Sequence, residues 1–101
     1  MTQRPRRGLP FVARYQLALW RTGKVINSDW PSPAQPTAPP AVFILGRLIL
    51  AWNTGLVGVR VGSRVLMVVP PALGYGTKGS PQAGIKGTDT LVFVIDVLAA
   101  A

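Results

Sequence analysis

Apolar residues recur at every second position from Phe11 onward. Phe11, Ala13 and Tyr15 share one side of an alternating run, and Leu17, Leu19 and Trp20 extend it to the turn-forming Thr22-Gly23-Lys24. That is the pattern of a strand with one buried face, and Val25-Ile26-Asn27-Ser28 reads as its short return. Ala41 to Leu45 is a further strand, with Phe43 pointing opposite to Val42 and Ile44. The stretch from Ala51 to Gly76 carries several elements in close order. Trp52 opens Asn53 to Gly58, a segment too short and glycine-marked for more than one or two helical turns. Val61-Gly62-Ser63-Arg64 then reads as a turn, and Val65 to Val69 as a β-branched strand stopped by Pro70-Pro71. Tyr75 follows on the loop. A Trp at a helix start and a Tyr just after a strand can converge on one concave spot, each offering a large apolar face and one polar hydrogen. That spot is the candidate site.

The last strand, Thr90 to Leu98, places Leu91, Phe93, Ile95 and Val97 on one face and Val92, Val94, Asp96 and Leu98 on the other. In the same way Val65, Met67 and Val69 face the helix and leave Leu66 and Val68 outside. A sheet covered on one side only alternates apolar with polar residues. Both faces here are apolar, which predicts an exposed patch including some of Leu66, Val68, Val92 and Val94, of the kind that meets another domain or subunit. Two segments lie outside these patterns. Met1 to Gly8 reads as a flexible basic tail ahead of a single domain spanning 9–101. Trp30 to Pro40, with five prolines in its eleven residues, cannot join a ladder or form a helix, and is expected to be an extended, polyproline-like surface loop.

Composition narrows the chemistry. A chain of 101 residues holds one modest core. Eleven Lys and Arg against three acids give a net charge of +8, a surface that attracts phosphates or anionic membranes without specificity. There is no Cys and no His, which excludes thiol and imidazole catalysis, disulfides and the usual zinc sites. Asp29, Asp89 and Asp96 are the only acids, a poor supply for carboxylate pairs or hard-metal cages. No metal and no cofactor are expected, and an enzyme of this inventory works by shape, desolvation and neutral hydrogen-bond donors. No run reaches the roughly 18 apolar residues of a membrane span; the best, Ala41 to Trp52, is broken by Arg47. The apolar segment after Arg4, Arg6 and Arg7 is cut by Arg14 before a signal-type core forms, so no export signal is read; the cytoplasm is the default location, and export is expected if the chain is part of a longer precursor.

Several spaced motifs stand in a familiar order: G-x-x-x-x-x-W-x-x-G-L-x-G-x-x-V-G-S-R from Gly46, then V-x-P-P-A-x-G-Y-G through Tyr75, then a Gly- and Pro-containing loop into T-L-V-F-V-I-D-V-L. From Val12 to Leu98 the chain resembles the FKBP-type peptidyl-prolyl cis-trans isomerases, and the phrase from Pro81 to Thr90 is similar to bacterial, especially actinobacterial, members. The resemblance implies an α+β fold, an antiparallel four- to five-stranded sheet curled around one short helix, with the ligand between them. It implies Trp52 as the floor under a prolyl ring and Tyr15, Ile26 and Phe93 as walls. Phe43, Leu48 and Ile85 would complete the lining, Tyr75 O–H and the Ile49 N–H would hold substrate carbonyls, and Asn27 would act beside them. Proline-containing polypeptides and macrolide-type ligands are the partners so implied. Similar family domains are often found in exported lipoproteins.

An X–Pro bond isomerises over a barrier of about 18–20 kcal/mol because resonance stiffens C–N. An apolar pocket disfavours the charge-separated resonance form, and binding the twisted amide better than either planar isomer by about 4–8 kcal/mol gives roughly 10³ to 10⁶ in rate. Such a reaction needs no nucleophile, metal or cofactor, in agreement with the residue inventory. The departures from the family pattern imply a weakened catalyst. Asn27 stands where an aspartate is usual, Ile26 and Ala41 replace aromatics, and Leu17 and Ala51 replace glycines. The segment before Trp52 is two residues short and the loop before Ala41 is long. A noncatalytic peptide-binding or chaperone module of the same fold is the alternative. A basic β-protein binding nucleic acid is a third reading, but the chain shows no row of aromatics interleaved with Lys or Arg and no specific nucleic acid is expected.

Overall fold

The computed structural model describes residues 3–101. Its elements are β1 (Pro10–Leu19), β2 (Val25–Ser28), β3 (Ala41–Ile44), α1 (Leu50–Gly55), β4 (Arg64–Val69) and β5 (Leu91–Ala100), all strands pairing antiparallel in one five-stranded sheet. β1 is the spine. One of its edges pairs along its length with β5, Tyr15 facing Ile95 and Leu17 facing Phe93. The other edge is shared, β3 taking Pro10–Ala13 and β2 taking Gln16–Ala18. β4 closes on the far edge of β5, with Met67 opposite Phe93.

The alternation along β1 and β5 becomes the core. Phe11, Ala13, Leu17 and Leu19 are buried against Leu91, Phe93, Ile95 and Val97, and Leu45, Trp52, Leu56 and Val69 close over them. Six residues of α1 are far fewer than the roughly 12–15 an isolated helix needs. Burial of Trp52 and Leu56 holds it instead, at about 1.5–3 kcal/mol for a large apolar side chain. Because that burial sets the helix, it begins at Leu50, ahead of the Trp52 start expected from the sequence. β1 stops one residue earlier than expected: Trp20 leaves the apolar stripe for the turn and is 70% exposed.

The proline-rich segment takes its chain out of pairing at Ser28 and returns it at Ala41. It does not run extended. Ser32 and Gln35 exchange backbone hydrogen bonds of 3.1 and 3.0 Å, folding it into a turn. Arg14 fastens both ends, its Nη1 donating to the Asp29 carbonyl at 2.7 Å and its Nη2 to that of Ala38 at 2.8 Å.

The basic N-terminal segment also departs from expectation. Met1 and Thr2 lie outside the described residues, but those that follow are docked and not free. Pro5 is fully buried, its carbonyl accepts the Gly58 N–H at 3.0 Å, and the Gly8 N–H donates to the Leu45 carbonyl at 2.8 Å. A proline without an N–H to satisfy is easily buried.

On the outer face of the sheet, Leu66 is 66% and Val68 56% exposed, while Val92 and Val94 are half-buried. Trp30 of the proline-rich segment shares a shallow hollow with Gln16, Arg64 and Val94 and covers part of this face, while Leu66 and Val68 stay open. The same face carries the row Arg14, Asp96 and Arg64, in which Arg64 donates from Nε at 2.7 Å and Nη2 at 2.8 Å to the Asp96 carboxylate. No helix among the described residues is long and apolar enough to cross a membrane.

Candidate active site

On the other face of the sheet, between its curl and α1, lies an open cavity of about 130 Å³. Trp52 is its floor: the indole is 4% exposed and meets Tyr15, Phe43 and Phe93 edge-on, with centroids 5.6, 5.1 and 5.4 Å away. Edge-to-face contacts of this kind add about 0.5–1.5 kcal/mol each beyond area burial, so the floor is rigid. The indole N–H is buried without a partner among the described residues.

The wall on the β2 side follows from register. Asn27 faces Leu17 across β1 and β2, which brings it to the same side as Tyr15, and its Nδ2 donates to the Tyr15 hydroxyl at 2.6 Å. A tyrosine hydroxyl that accepts from an amide keeps its own hydrogen for another acceptor. The Tyr15 N–H donates to Asp29 Oδ1 at 2.8 Å, fixing the base of the ring. Burial is the main cause that pushes the Tyr15 phenol above its ordinary pKa, with Asp29 and Tyr75 adding to it and the Asn27 hydrogen bond opposing. It is therefore a neutral donor at any pH near 7.

Opposite, the rim is the loop before α1. Ile49 is the N-cap in extended conformation, φ −61° and ψ 153°, with no side-chain cap, and its N–H has no partner among the described residues. That loop is held by a residue the sequence reading did not single out. Asn53 Oδ1 accepts the N–H groups of Gly46 at 2.9 Å and Leu48 at 3.1 Å, and its Nδ2 donates to the Leu48 carbonyl at 2.7 Å. An Asn five residues after a turn is a weak signal, since the same residue serves equally as an exposed helix position. Here it compensates for the short loop by tying three backbone groups to the helix.

Tyr75 closes the cavity from the β4–β5 connection and is 42% exposed. The connection places it through backbone contact. A Cβ on Gly87 would run into the Thr77 carbonyl, so the two arms of the loop pack backbone on backbone, and a Cβ on Gly79, at φ +62°, would likewise meet the Ile85 carbonyl. Asp89 locks the end of this loop to the turn that follows β1. Its buried carboxylate accepts Arg21 Nε at 2.8 Å, Arg21 Nη2 at 3.1 Å and the Lys86 N–H at 2.7 Å, and the Arg21 hydrogen bond first, then that of Lys86, hold its pKa down at about 2.

The fold thus brings Tyr15, Asn27, Phe43, Leu48, Ile49, Trp52, Tyr75 and Phe93 around one hollow. Two residues expected there are elsewhere. Ile26 occupies the extra position of the bulge where the β1–β2 register shifts, and packs on the edge of the core. Ile85, bridged to Ser80, is buried in the core. Leu17 takes a place in the lining that was not assigned to it.

The model of the FKBP-type peptidyl-prolyl cis-trans isomerase family matches residues 2–98. The chain belongs to that family. Among its relatives, the mouse peptidyl-prolyl cis-trans isomerase FKBP2 is 38% identical over 79 residues, which cover 76% of this chain and 56% of the mouse protein. A probable FK506-binding protein of Corynebacterium glutamicum is 35% identical over 83 residues, covering 80% of this chain and 63% of its own. This FKBP-type chain therefore spans between about half and two-thirds of the length of these relatives. The fold is that of a peptidyl-prolyl cis-trans isomerase crystal structure from Pseudomonas syringae pv. tomato, with a TM-score of 0.82 at 24% identity over all of this chain and 68% of the other. The sheet curled on one short helix is the FKBP-like architecture.

Proposed function

We propose that the chain is a peptidyl-prolyl cis-trans isomerase domain acting on X–Pro bonds in protein chains. The observation that carries this reading is the hollow itself, aromatic on its floor and walls, open to solvent beside Tyr75, with neutral hydrogen-bond groups at its rim and no carboxylate, amine, imidazole or thiol among the described residues lining it. A prolyl ring on the Trp52 indole leaves its preceding imide among Tyr15, Ile49 and Tyr75. The Tyr75 hydroxyl and the Ile49 N–H then hold flanking carbonyls while the apolar surroundings disfavour the charge-separated amide, which lowers the barrier to rotation. Macrolide-type ligands fit the same hollow by family.

The activity is weakened relative to the family pattern because the neighbour of Tyr15 is an amide. Asn27 donates to the phenol, where a carboxylate would accept from it in a charge-assisted bond roughly twice as strong. This same feature favours the second reading, a noncatalytic peptide-binding or chaperone module. A protease-coupled assay on a short X–Pro peptide separates the two. Micromolar protein is expected to accelerate the slow phase, and the exposed-ring variant Tyr75→Phe to reduce that acceleration about three- to tenfold, the loss of one carbonyl hydrogen bond of about 0.5–1.5 kcal/mol. Binding of the peptide without acceleration would move the chain to the second reading.

A further inference from the structure

The hollow uses none of the chain's arginines, and the fold gathers five of them at one end. Asp89 is taken by Arg21, Asp96 by Arg64, and Asp29 accepts the Tyr15 N–H. Arg4, Arg6, Arg7, Arg47 and Arg60 are exposed and form no ion pair among the described residues. Arg4 Nη1 donates to the Gly58 carbonyl at 3.3 Å, which sets it beside the turn carrying Arg60. The Gly8 N–H bonds the Leu45 carbonyl and the Leu45 N–H bonds that of Leu9 at 3.4 Å, which lays Arg6 and Arg7 along the turn carrying Arg47. Arg47 directly precedes Leu48 and Ile49, the rim of the hollow, in the loop that Asn53 clamps.

Docking a basic segment between two basic turns opposes folding, since like charges repel. The buried Pro5 and its backbone bonds outweigh that repulsion, and the charge is left for something outside the fold. The side chains are all arginine, whose planar fork pairs bidentately with carboxylate.

The geometry points to a polyanion-binding collar, continuous with the Leu48–Ile49 rim, that takes an acidic stretch of the client polypeptide beside its X–Pro bond. The client's being a polypeptide rests on the isomerase reading; its acidity rests on charge alone. Nucleic acid fits less well. Base stacking needs several exposed aromatics among the cations, whereas of the exposed rings Tyr75 stands alone at the hollow on the β4–β5 connection and Trp20 lies beyond the far end of the ten-residue β1, roughly 30 Å from the collar at Pro10.

The test compares two X–Pro peptides of equal length, one flanked by glutamates and one by glutamines. At an ionic strength of about 0.01 M the acidic peptide is expected to show about tenfold higher kcat/KM, and about 1 M salt should remove the difference. In the variant Arg6→Gln/Arg7→Gln/Arg47→Gln the ratio should fall to near one. A ratio of one in the parent at low salt, or a preference that survives in the variant, overturns the collar. Anisotropy of a fluorescent glutamate-rich peptide without proline separates this from the isomerase reading. If neither X–Pro peptide is isomerised, salt-sensitive binding of that probe, lost in the variant, still upholds the collar, and no binding overturns it. Tighter binding of a single-stranded oligonucleotide of equal charge would overturn it in favour of nucleic acid.

Discussion

Asn53→Ala tests how the rim is built. The side chain makes three hydrogen bonds, to the N–H groups of Gly46 and Leu48 and to the Leu48 carbonyl. Each is worth about 0.5–1.5 kcal/mol net, and the Gly46 bond, being exposed, lies at the low end. The Leu48 N–H and carbonyl are partly buried, and losing their partner costs more than losing an exposed bond. The sum is about 2–3 kcal/mol. In urea, with a slope of about 1–3 kcal/mol/M for a domain of this size, the midpoint should fall by about 0.7–3 M with the slope unchanged. Function should fall further than stability alone explains. Freed from α1, the loop no longer fixes the Ile49 N–H, and a displacement near 1 Å at a positioned donor costs up to about a hundredfold; a loss of ten- to a hundredfold in kcat/KM, measured well below the unfolding midpoint, is expected. Asn53→Asp keeps the two acceptor bonds but sets a carboxylate oxygen against the Leu48 carbonyl, so it should not restore the parent's stability. An alanine variant unfolding within about 0.5 kcal/mol of the parent, with unchanged turnover, would refute the clamp.

Three further outcomes follow from the same structure. Gly87→Ala should cost at least about 1–3 kcal/mol in urea unfolding, because the added Cβ meets the Thr77 carbonyl and backbone must move; a thermal midpoint equal to the parent's would contradict the packing of the loop. Asn27→Asp should raise kcat/KM about three- to tenfold by replacing a neutral partner of the Tyr15 hydroxyl with a charged one, worth about 1 kcal/mol; no gain, measured with the same X–Pro peptide, would overturn the proposal that the amide weakens catalysis. The Asp89 carboxyl, at about 2 in the fold against an ordinary 3.8, binds a proton less readily folded than unfolded. Its stabilisation is therefore present above about pH 3.8 and lost as pH falls toward 2. Urea midpoints across pH 2–6 should drop in that window, and Asp89→Asn should start lower and show a flatter profile.

Much of the sheet was legible because its strands obey period two with few interruptions. Phe11, Ala13 and Leu17 on β1 and Leu91, Phe93, Ile95 and Val97 on β5 are buried as their spacing predicts, and Leu66 and Val68 are exposed as theirs does. What failed was local. Ile26, given to the wall by resemblance, sits at a bulge, and the extra residue there leaves it off the lining of the hollow. The tail looked free because charge and composition describe solvation and not docking; the burial of Pro5 depends on Gly58, distant in sequence. Asn53 went unread for a similar reason, as its partners are backbone groups, which carry no sequence signature. The residues around the hollow came from motif order. Periodicity alone marks Phe43, Trp52 and Phe93 as core, which they also are in large part.

The proposed work of the hollow floored by Trp52 is to speed rotation about an X–Pro bond. NMR exchange spectroscopy on a short X–Pro peptide measures this without any coupling enzyme. Micromolar protein should bring cis and trans signals into exchange far faster than the tens to hundreds of seconds of the free peptide. Unchanged exchange, in a sample where peptide shifts show that it is bound, would contradict it.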